Sequence, residues 1–278
     1  MKLYRTTKGV VIEREGSFFL LPQQDWGTFI NRDNLYEESG KAVESLEGDE
    51  SIQNWLSGSL QPPVDRQEVW AAGVTYLRSR DARMEEAKES GGDTFYDKVY
   101  AAERPELFFK STASKVVGPQ QAVRIRKDST WDVPEPELAL FITAGGNIVG
   151  YSIGNDMSSR SIEGENPLYL PQAKMYDGAA ALGPCLYVPG EPIAPTTKIS
   201  IEIRRGDTVM YQDETPISQM KRKHTELVEF LYRESSFPDG CFLMTGTCLV
   251  PPNSFTLQSA DVITITIEGI GQLQNTVA

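Results

Sequence analysis

The chain has one histidine, His224, in 278 residues, and its three cysteines, Cys185, Cys241 and Cys248, form no C-x-x-C pair. A zinc site needs several such ligands at close spacing and a disulfide framework needs paired thiols, so neither is expected. Unpaired thiols fit a reducing compartment, and a cytoplasmic protein is the expectation. Basic blocks are also missing: 27 Lys and Arg stand against 39 Asp and Glu, a net charge of −12. That balance makes nucleic acid and anionic membrane surfaces poor partners. No apolar run approaches transmembrane length, and Met1-Lys2-Leu3-Tyr4-Arg5 leads into no signal-like core. Glycine-rich phosphate loops are absent too, since Gly145-Gly146 reads as a hairpin turn, and no organic cofactor is expected.

Carboxylates at telling spacings are what the chain does have. In Asp132-Val133-Pro134-Glu135-Pro136-Glu137-Leu138, Glu135 and Glu137 lie two apart and point to one face of an extended strand. Pro136 holds Glu135 in extended geometry. The residues from Leu138 to Thr143 read as a strand, Ala144 to Asn147 as a turn and Ile148 to Ile153 as the return. Folding about that turn brings Asp156 of Gly154-Asn155-Asp156-Met157-Ser158 level with the two glutamates. Three converging acids repel one another unless protons or a cation intervene, and such oxygen ligands suit Mg²⁺, Mn²⁺ or Ca²⁺. Spacing alone is equally compatible with two exposed edge glutamates and a turn aspartate.

The chain divides near residue 62. Before it lie strand-like runs from Gly9 to Arg14 and Ser17 to Leu21, then a polar helical piece ending near Trp55-Leu56. Gln61-Pro62-Pro63-Val64 reads as a linker. Beyond it strand signals dominate, with two helices. The first runs from Ser79-Arg80-Asp81 to Glu89, capped by Ser79 and stopped by Gly91-Gly92. Being nearly all charge, it reads as a solvated surface helix or as a mobile cover. The second spans Lys221 to Arg233, and His224 beside its apolar stripe reads as a packing histidine. Between them, Leu107-Phe108-Phe109 reads as a buried strand with Glu106 at its mouth. A carboxyl against aromatic rings has its charged form disfavoured and is suited to proton transfer; a surface glutamate at a strand start is the plainer alternative. The fold class is α+β.

Several motifs recur in the order that marks a known family. They are Glu135-x-Glu137, Gly154 to Arg160, Lys174-Met175-Tyr176-Asp177-Gly178, Leu182-Gly183-Pro184, Thr245-Gly246-Thr247, and the closing Ala260-Asp261-Val262-Ile263 … Glu268-Gly269-Ile270-Gly271-Gln272-Leu273. Each is short, but together, over residues 66–278, they resemble the fumarylacetoacetate hydrolase family. The resemblance implies a mixed β-roll catalytic domain over residues 63–278, with a small N-terminal α/β domain over 1–62. It implies a metal, Mg²⁺ with Mn²⁺ or Ca²⁺ as alternatives, held by Glu135, Glu137 and Asp156 and gripping the 2-keto acid end of a small substrate. It also makes the charged helix a lid whose Ser79, Arg80 and Asp81 meet the site, with Arg80 forking a substrate carboxylate. Phe109 and Thr247 complete the expected substrate contacts. Lys174, beside the three acids, is a candidate to balance charge, orient substrate or move a proton; an ordinary ion pair with Asp177 is the alternative.

One departure narrows the activity. Hydrolases of this family carry a lid histidine paired with a glutamate to activate water, and the stretch from Trp70 to Lys110 has no histidine. The neutral-pH proton acceptor for water attack is missing. The lid and strand motifs resemble the family's 2-keto-3-deoxy-D-arabinonate dehydratase branch. The implied reaction is loss of water from a 2-keto-3-deoxy-pentonate through an enolate stabilised by the metal, giving 2,5-dioxopentanoate. Glu106 and Lys174 are then the catalytic pair, with base and acid unassigned. The alternative activity is acylpyruvate hydrolysis or oxaloacetate decarboxylation, with water or Glu163 replacing the histidine. A homo-oligomer, dimer or tetramer, is implied as well.

Overall fold

The computed structural model describes residues 1–86 and 93–278. Its frame is a ten-stranded sheet. The strands run in the order Ser17–Leu21, Gly9–Arg14, Lys2–Thr6, Ala180–Tyr187, Ile148–Asp156, Pro136–Ile142, Cys241–Met244, Glu68–Gly73 and Glu106–Ser111, with Val116–Val117 beside Ala180–Tyr187. Most neighbours are antiparallel; Cys241–Met244 runs parallel to Glu68–Gly73. A second, five-stranded sheet orders Thr208–Pro216, Lys198–Arg205, Val262–Ile267, Gly271–Val277 and Ala122–Val123.

The two sheets explain why the Pro136–Ile142 strand is apolar at nearly every position. Leu138, Leu140 and Ile142 face a cluster with Ile199, Ile201, Ile203, Ile263, Ile265 and Ile267 of the second sheet. Ala139 and Phe141 face the other way, toward Phe242, Met244, Leu182 and the helical residues Trp26, Phe29, Ile30 and Leu35. A strand covered on both faces has no need of alternation.

The α+β class and mixed sheets agree with the sequence. The Pro136–Ile142 and Ile148–Asp156 hairpin forms with Gly154 opposite Glu137 and Asn155 opposite Pro136. The return strand reaches Asp156, three residues beyond its expected end, because the Asp156 N–H donates to the Glu135 carbonyl. Residues 1–62 do not form a sheet of their own: Leu3 pairs with Leu186, so the first three strands extend the main sheet, while the helices Trp26–Ile30, Leu35–Val43 and Ile52–Ser59 follow them. The lid helix starts at Leu77, two residues early, and is described to Glu86. Its expected continuation to Glu89 and the Gly91-Gly92 stop lie outside the described residues. A further helix, Asp93–Ala101, follows. Ser79 sits inside the first turn, where its hydroxyl donates to the Tyr76 carbonyl and accepts from the Tyr76 N–H. The later helix spans His224–Tyr232. Among the described residues no helix is long and apolar enough to cross a membrane.

Leu140, fully buried between the sheets, tests this packing. Leu140→Ala is expected to cost about 2–5 kcal/mol of unfolding free energy, measured by denaturant titration. A cost near zero would mean that the two sheets do not close on this strand.

Candidate metal and substrate site

Glu135, Glu137 and Asp156 come together at the end of the central hairpin, all buried, with carboxylate oxygens within 4.8 Å of one another. Backbone geometry produces the convergence: Glu137 and Gly154 are cross-strand partners, and Asp156, two residues on from Gly154, lies on the same face. Gly246, at φ +94°, completes the cradle by donating its N–H to Glu137 Oε2 at 2.6 Å. A Cβ there would collide with the Thr75 hydroxyl, so the close approach requires glycine.

Buried cations answer the acids. Lys174 Nζ donates to Glu135 Oε2 at 2.6 Å, to Asp156 Oδ2 at 3.1 Å and to the Ser158 hydroxyl at 2.5 Å. Arg160 donates to Glu135 Oε1 at 2.5 Å. Lys110 meets Asp156 Oδ1 at 2.5 Å and also donates to the carbonyls of Met157 and Lys174. Glu135 and Asp156 are thus each met by two cations, which makes these buried charges tolerable. Burial by itself pushes the Glu135 carboxyl up, but Lys174, then Arg160 and Arg83, outweigh it and hold it well below the usual carboxylate range. Glu137 goes the other way: burial, followed by repulsion from Asp156 and Glu135, raises it well above its ordinary value. A buried, all-oxygen set in which one acid is held back from ionising by its neighbours fits a hard divalent cation such as Mg²⁺, Mn²⁺ or Ca²⁺.

Glu106 stands on the opposite wall, on the strand that pairs Glu106 with Gly73. Its carboxyl lies over the Gly73 Cα, a position that any Cβ would deny it. Oε2 is enclosed and has no hydrogen-bond partner. Burial raises the Glu106 carboxyl, and the nearby charges of Arg83 and Lys174 offset the rise only in part. Phe108 and Lys110 follow at the strand's period of two and face the same side.

The pocket above the three acids is lined by Gly73, Val74, Ser79, Arg83, Phe108 and Thr247. Val74, at φ +53°, turns the chain from strand into lid helix. At the far end of the lid, Arg222 ties down the Asp93–Ala101 helix by donating to the carbonyls of Val99, Ala102 and Glu103. The free space left is about 10 Å³, room for one water.

Of the expected site residues, Glu106, Glu135, Glu137, Asp156 and Lys174 are brought together, with Ser79 and Thr247 lining the pocket; Thr247 Oγ1 accepts from the Leu249 N–H. Lys174 has no ion pair with Asp177, which pairs with Lys115 instead. Arg80 and Asp81 are not brought in: Arg80 bonds Asp81 and Asp97 on the outer side of the lid. Asp81 borders a separate groove with Arg78 and Asp213. The inward arginine is Arg83, ion-paired with the buried Glu163. Phe109 turns away, edge-on to Trp70 at 5.9 Å, and the pocket is lined by Phe108 instead. His224 lies in a different groove, with Tyr151, Val228 and Tyr232. Lys110, Arg83 and Arg160 were missed as site residues, although the period-two step from Glu106 through Phe108 to Lys110 signals the first.

A family model described as fumarylacetoacetate (FAA) hydrolase C-terminal matches residues 69–278. A probable 2-keto-3-deoxyxylonate dehydratase of Haloferax volcanii is 51% identical over 216 residues, which is 77% of this chain and 73% of that protein. A 2-dehydro-3-deoxy-D-arabinonate dehydratase of Saccharolobus solfataricus is 42% identical over 216 residues, 77% of this chain and 72% of its own. Among solved structures, a 2-keto-3-deoxy-D-arabinonate dehydratase complexed with magnesium and 2,5-dioxopentanoate superposes with a TM-score of 0.82 at 33% identity, covering 100% of this chain and 98% of that one.

The raised Glu137 fixes the sign of a pH effect. The folded chain holds this proton above the ordinary value of 4.5, so the metal-free protein loses stability as pH rises from there through the raised Glu137 value. A divalent cation binds the ionised form, so the Mg²⁺-induced rise in melting temperature is expected to grow with pH. Glu137→Gln flattens the slope, and Asp156→Asn removes the Mg²⁺ response while circular dichroism stays native. A full Mg²⁺ response in Asp156→Asn would rule out the metal assignment.

Proposed function

The chain belongs to the fumarylacetoacetate hydrolase family, and we propose that it is a Mg²⁺-dependent dehydratase of a 2-keto-3-deoxy-pentonate such as 2-dehydro-3-deoxy-D-arabinonate, yielding 2,5-dioxopentanoate. Glu135, Glu137 and Asp156 are the residues that hold the metal. When bound, Mg²⁺ polarises the 2-keto group and makes the neighbouring C3 protons more acidic. The observation that carries the reading is Glu106, an enclosed carboxyl with one oxygen outside any hydrogen bond and a raised proton affinity.

The pair Glu106 and Lys174 moves the protons. One takes a proton from C3, and the C4–O bond breaks as the leaving hydroxyl receives a proton, so that water departs. Loss of one C5 proton and of the C5 hydroxyl proton, with return of one proton each to C3 and C4, then converts the allylic alcohol to the aldehyde. The sum is substrate to product plus one water, with no oxidant or reductant. Lys174, bonded to Glu135 and Asp156, is placed to exchange a proton on the acids' side, and Glu106 on the opposite wall. The pocket's small free space keeps bulk water from the enolate. Hydrolysis is disfavoured by the same geometry: Glu163, offered as a substitute for the missing histidine, is committed to Arg83. We also propose a cytoplasmic homo-oligomer that acts on a free small molecule.

Purified protein given 2-keto-3-deoxy-pentonates and Mg²⁺ is expected to release 2,5-dioxopentanoate, and chelator to stop it. Glu106→Gln is expected to keep the Mg²⁺-induced rise in melting temperature while losing at least ~10²-fold in kcat. Wild-type turnover in that variant would leave proton transfer to Lys174 alone. Absence of product with every pentonate would move the assignment to cleavage of a shorter 2-keto acid.

A further inference from the structure

The lid helix carries three arginines among its described residues, and they part company. Arg78 pairs with Asp213 and Arg80 with Asp81 and Asp97, all on the outside. Arg83, four residues after Ser79, shares the inward face with it and is 4% exposed. Its ion-pair partner Glu163, on the Arg160–Glu165 helix, is 1% exposed and is no part of the acidic triad. Two charges taken out of water at this depth cost more than a simple lid contact needs, since an apolar pair would seal the pocket as well.

We propose that Arg83 is the specificity-determining residue that recognises the hydroxylated tail of the substrate, and that Glu163 is a positioning residue that aims its guanidinium at that tail. The inference rests on the dehydratase reading only for the identity of the substrate. Glu135, Glu137, Asp156 and Arg83 line one small pocket, so a 2-keto acid head held by the three acids brings its tail within the lining that includes Arg83. The pocket has free space for about one water, so an entering substrate displaces contacts of its lining and must replace them. Phe108 and Val74 offer apolar flanks for the C3 methylene. Arg83 offers only donors, in a planar fork, which matches the C4 and C5 oxygens as acceptors. A site that hydrogen-bonds substrate hydroxyls rejects analogues lacking them far more strongly than an apolar pocket does.

The test compares two probes on the Mg²⁺-loaded protein by calorimetry: a 2-keto-3-deoxy-pentonate and 2-oxobutanoate, which shares the head and methylene but lacks the hydroxyls. Kd is measured under conditions or with a Glu106→Gln background in which the pentonate is not consumed. Arg83→Met is expected to weaken pentonate binding by at least ~10-fold and 2-oxobutanoate by less than about twofold, with Arg83→Lys recovering part of the loss. Arg83→Met/Glu163→Leu removes both charges, so no buried ion is stranded, and is expected to show the same selective loss. In the Glu106-containing enzyme, Glu163→Gln is expected to raise KM more than it lowers kcat. Pentonate binding unchanged in the double variant, equal losses for both probes, or wild-type protein binding the pentonate no more tightly than 2-oxobutanoate would each overturn the inference. If wild type binds the pentonate through Arg83 yet never dehydrates it, the dehydratase reading fails and tail recognition stands.

Discussion

Everything at this site depends on compensation of charge out of water. Glu135, Glu137 and Asp156 sit almost wholly buried within one cluster; Lys174, Lys110 and Arg160 lie at hydrogen-bond distance from Glu135 and Asp156, and the Gly246 N–H donates to Glu137. Lys174 is shared by Glu135 and Asp156, so its removal weakens the compensation of both acids in a low-dielectric interior. The acids are therefore the least movable side chains in the pocket.

The balance also separates two kinds of carboxyl. Glu135 is surrounded by cations and stays ionised, whereas Glu106 and Glu137 are driven toward the protonated form by burial. Glu137 becomes ionised when a cation arrives. Glu106 has no hydrogen bond on Oε2, and under the proposed reaction that oxygen is the one left to exchange protons. Neighbouring acids on one sheet thus take different chemical tasks because their surroundings, not their types, differ.

How much of this was legible depends on the range of the interaction. The pairing of Glu135 with Glu137 follows from the two-residue repeat of a strand, and Asp156 joins them across a single hairpin, so the triad can be read locally. The same repeat distinguishes Phe108, which faces the pocket, from Phe109, which packs on Trp70. On the lid, Ser79, Arg80 and Asp81 were grouped because they are consecutive, yet consecutive residues of a helix point about 100° apart. The i, i+4 pair Ser79 and Arg83 is the one that shares a face, and it became identifiable only once the helix start at Leu77 was known. Pairing of the first strand with residues near 186 leaves no local mark, so residues 1–62 looked separate from a sheet they extend. Arg160 and Glu163 owe their roles to contacts with Glu135 and the lid, and neither contact has a signature in the run Arg160-Ser161-Ile162-Glu163.

The short Cys241–Met244 strand carries a consequence for how the molecule comes into being. It lies between Pro136–Ile142 and Glu68–Gly73, and it is the link between the wall bearing the triad and the wall bearing Glu106. In chain order the strands of both halves of the sheet precede this one. Each half then presents an open apolar edge, which invites pairing with another chain. Only insertion of these four residues closes the sheet, and the Thr245-Gly246-Thr247 turn that follows seats Glu137 in the same event. The seating of Glu137 and the closure of the sheet edge therefore depend on one late segment of the chain.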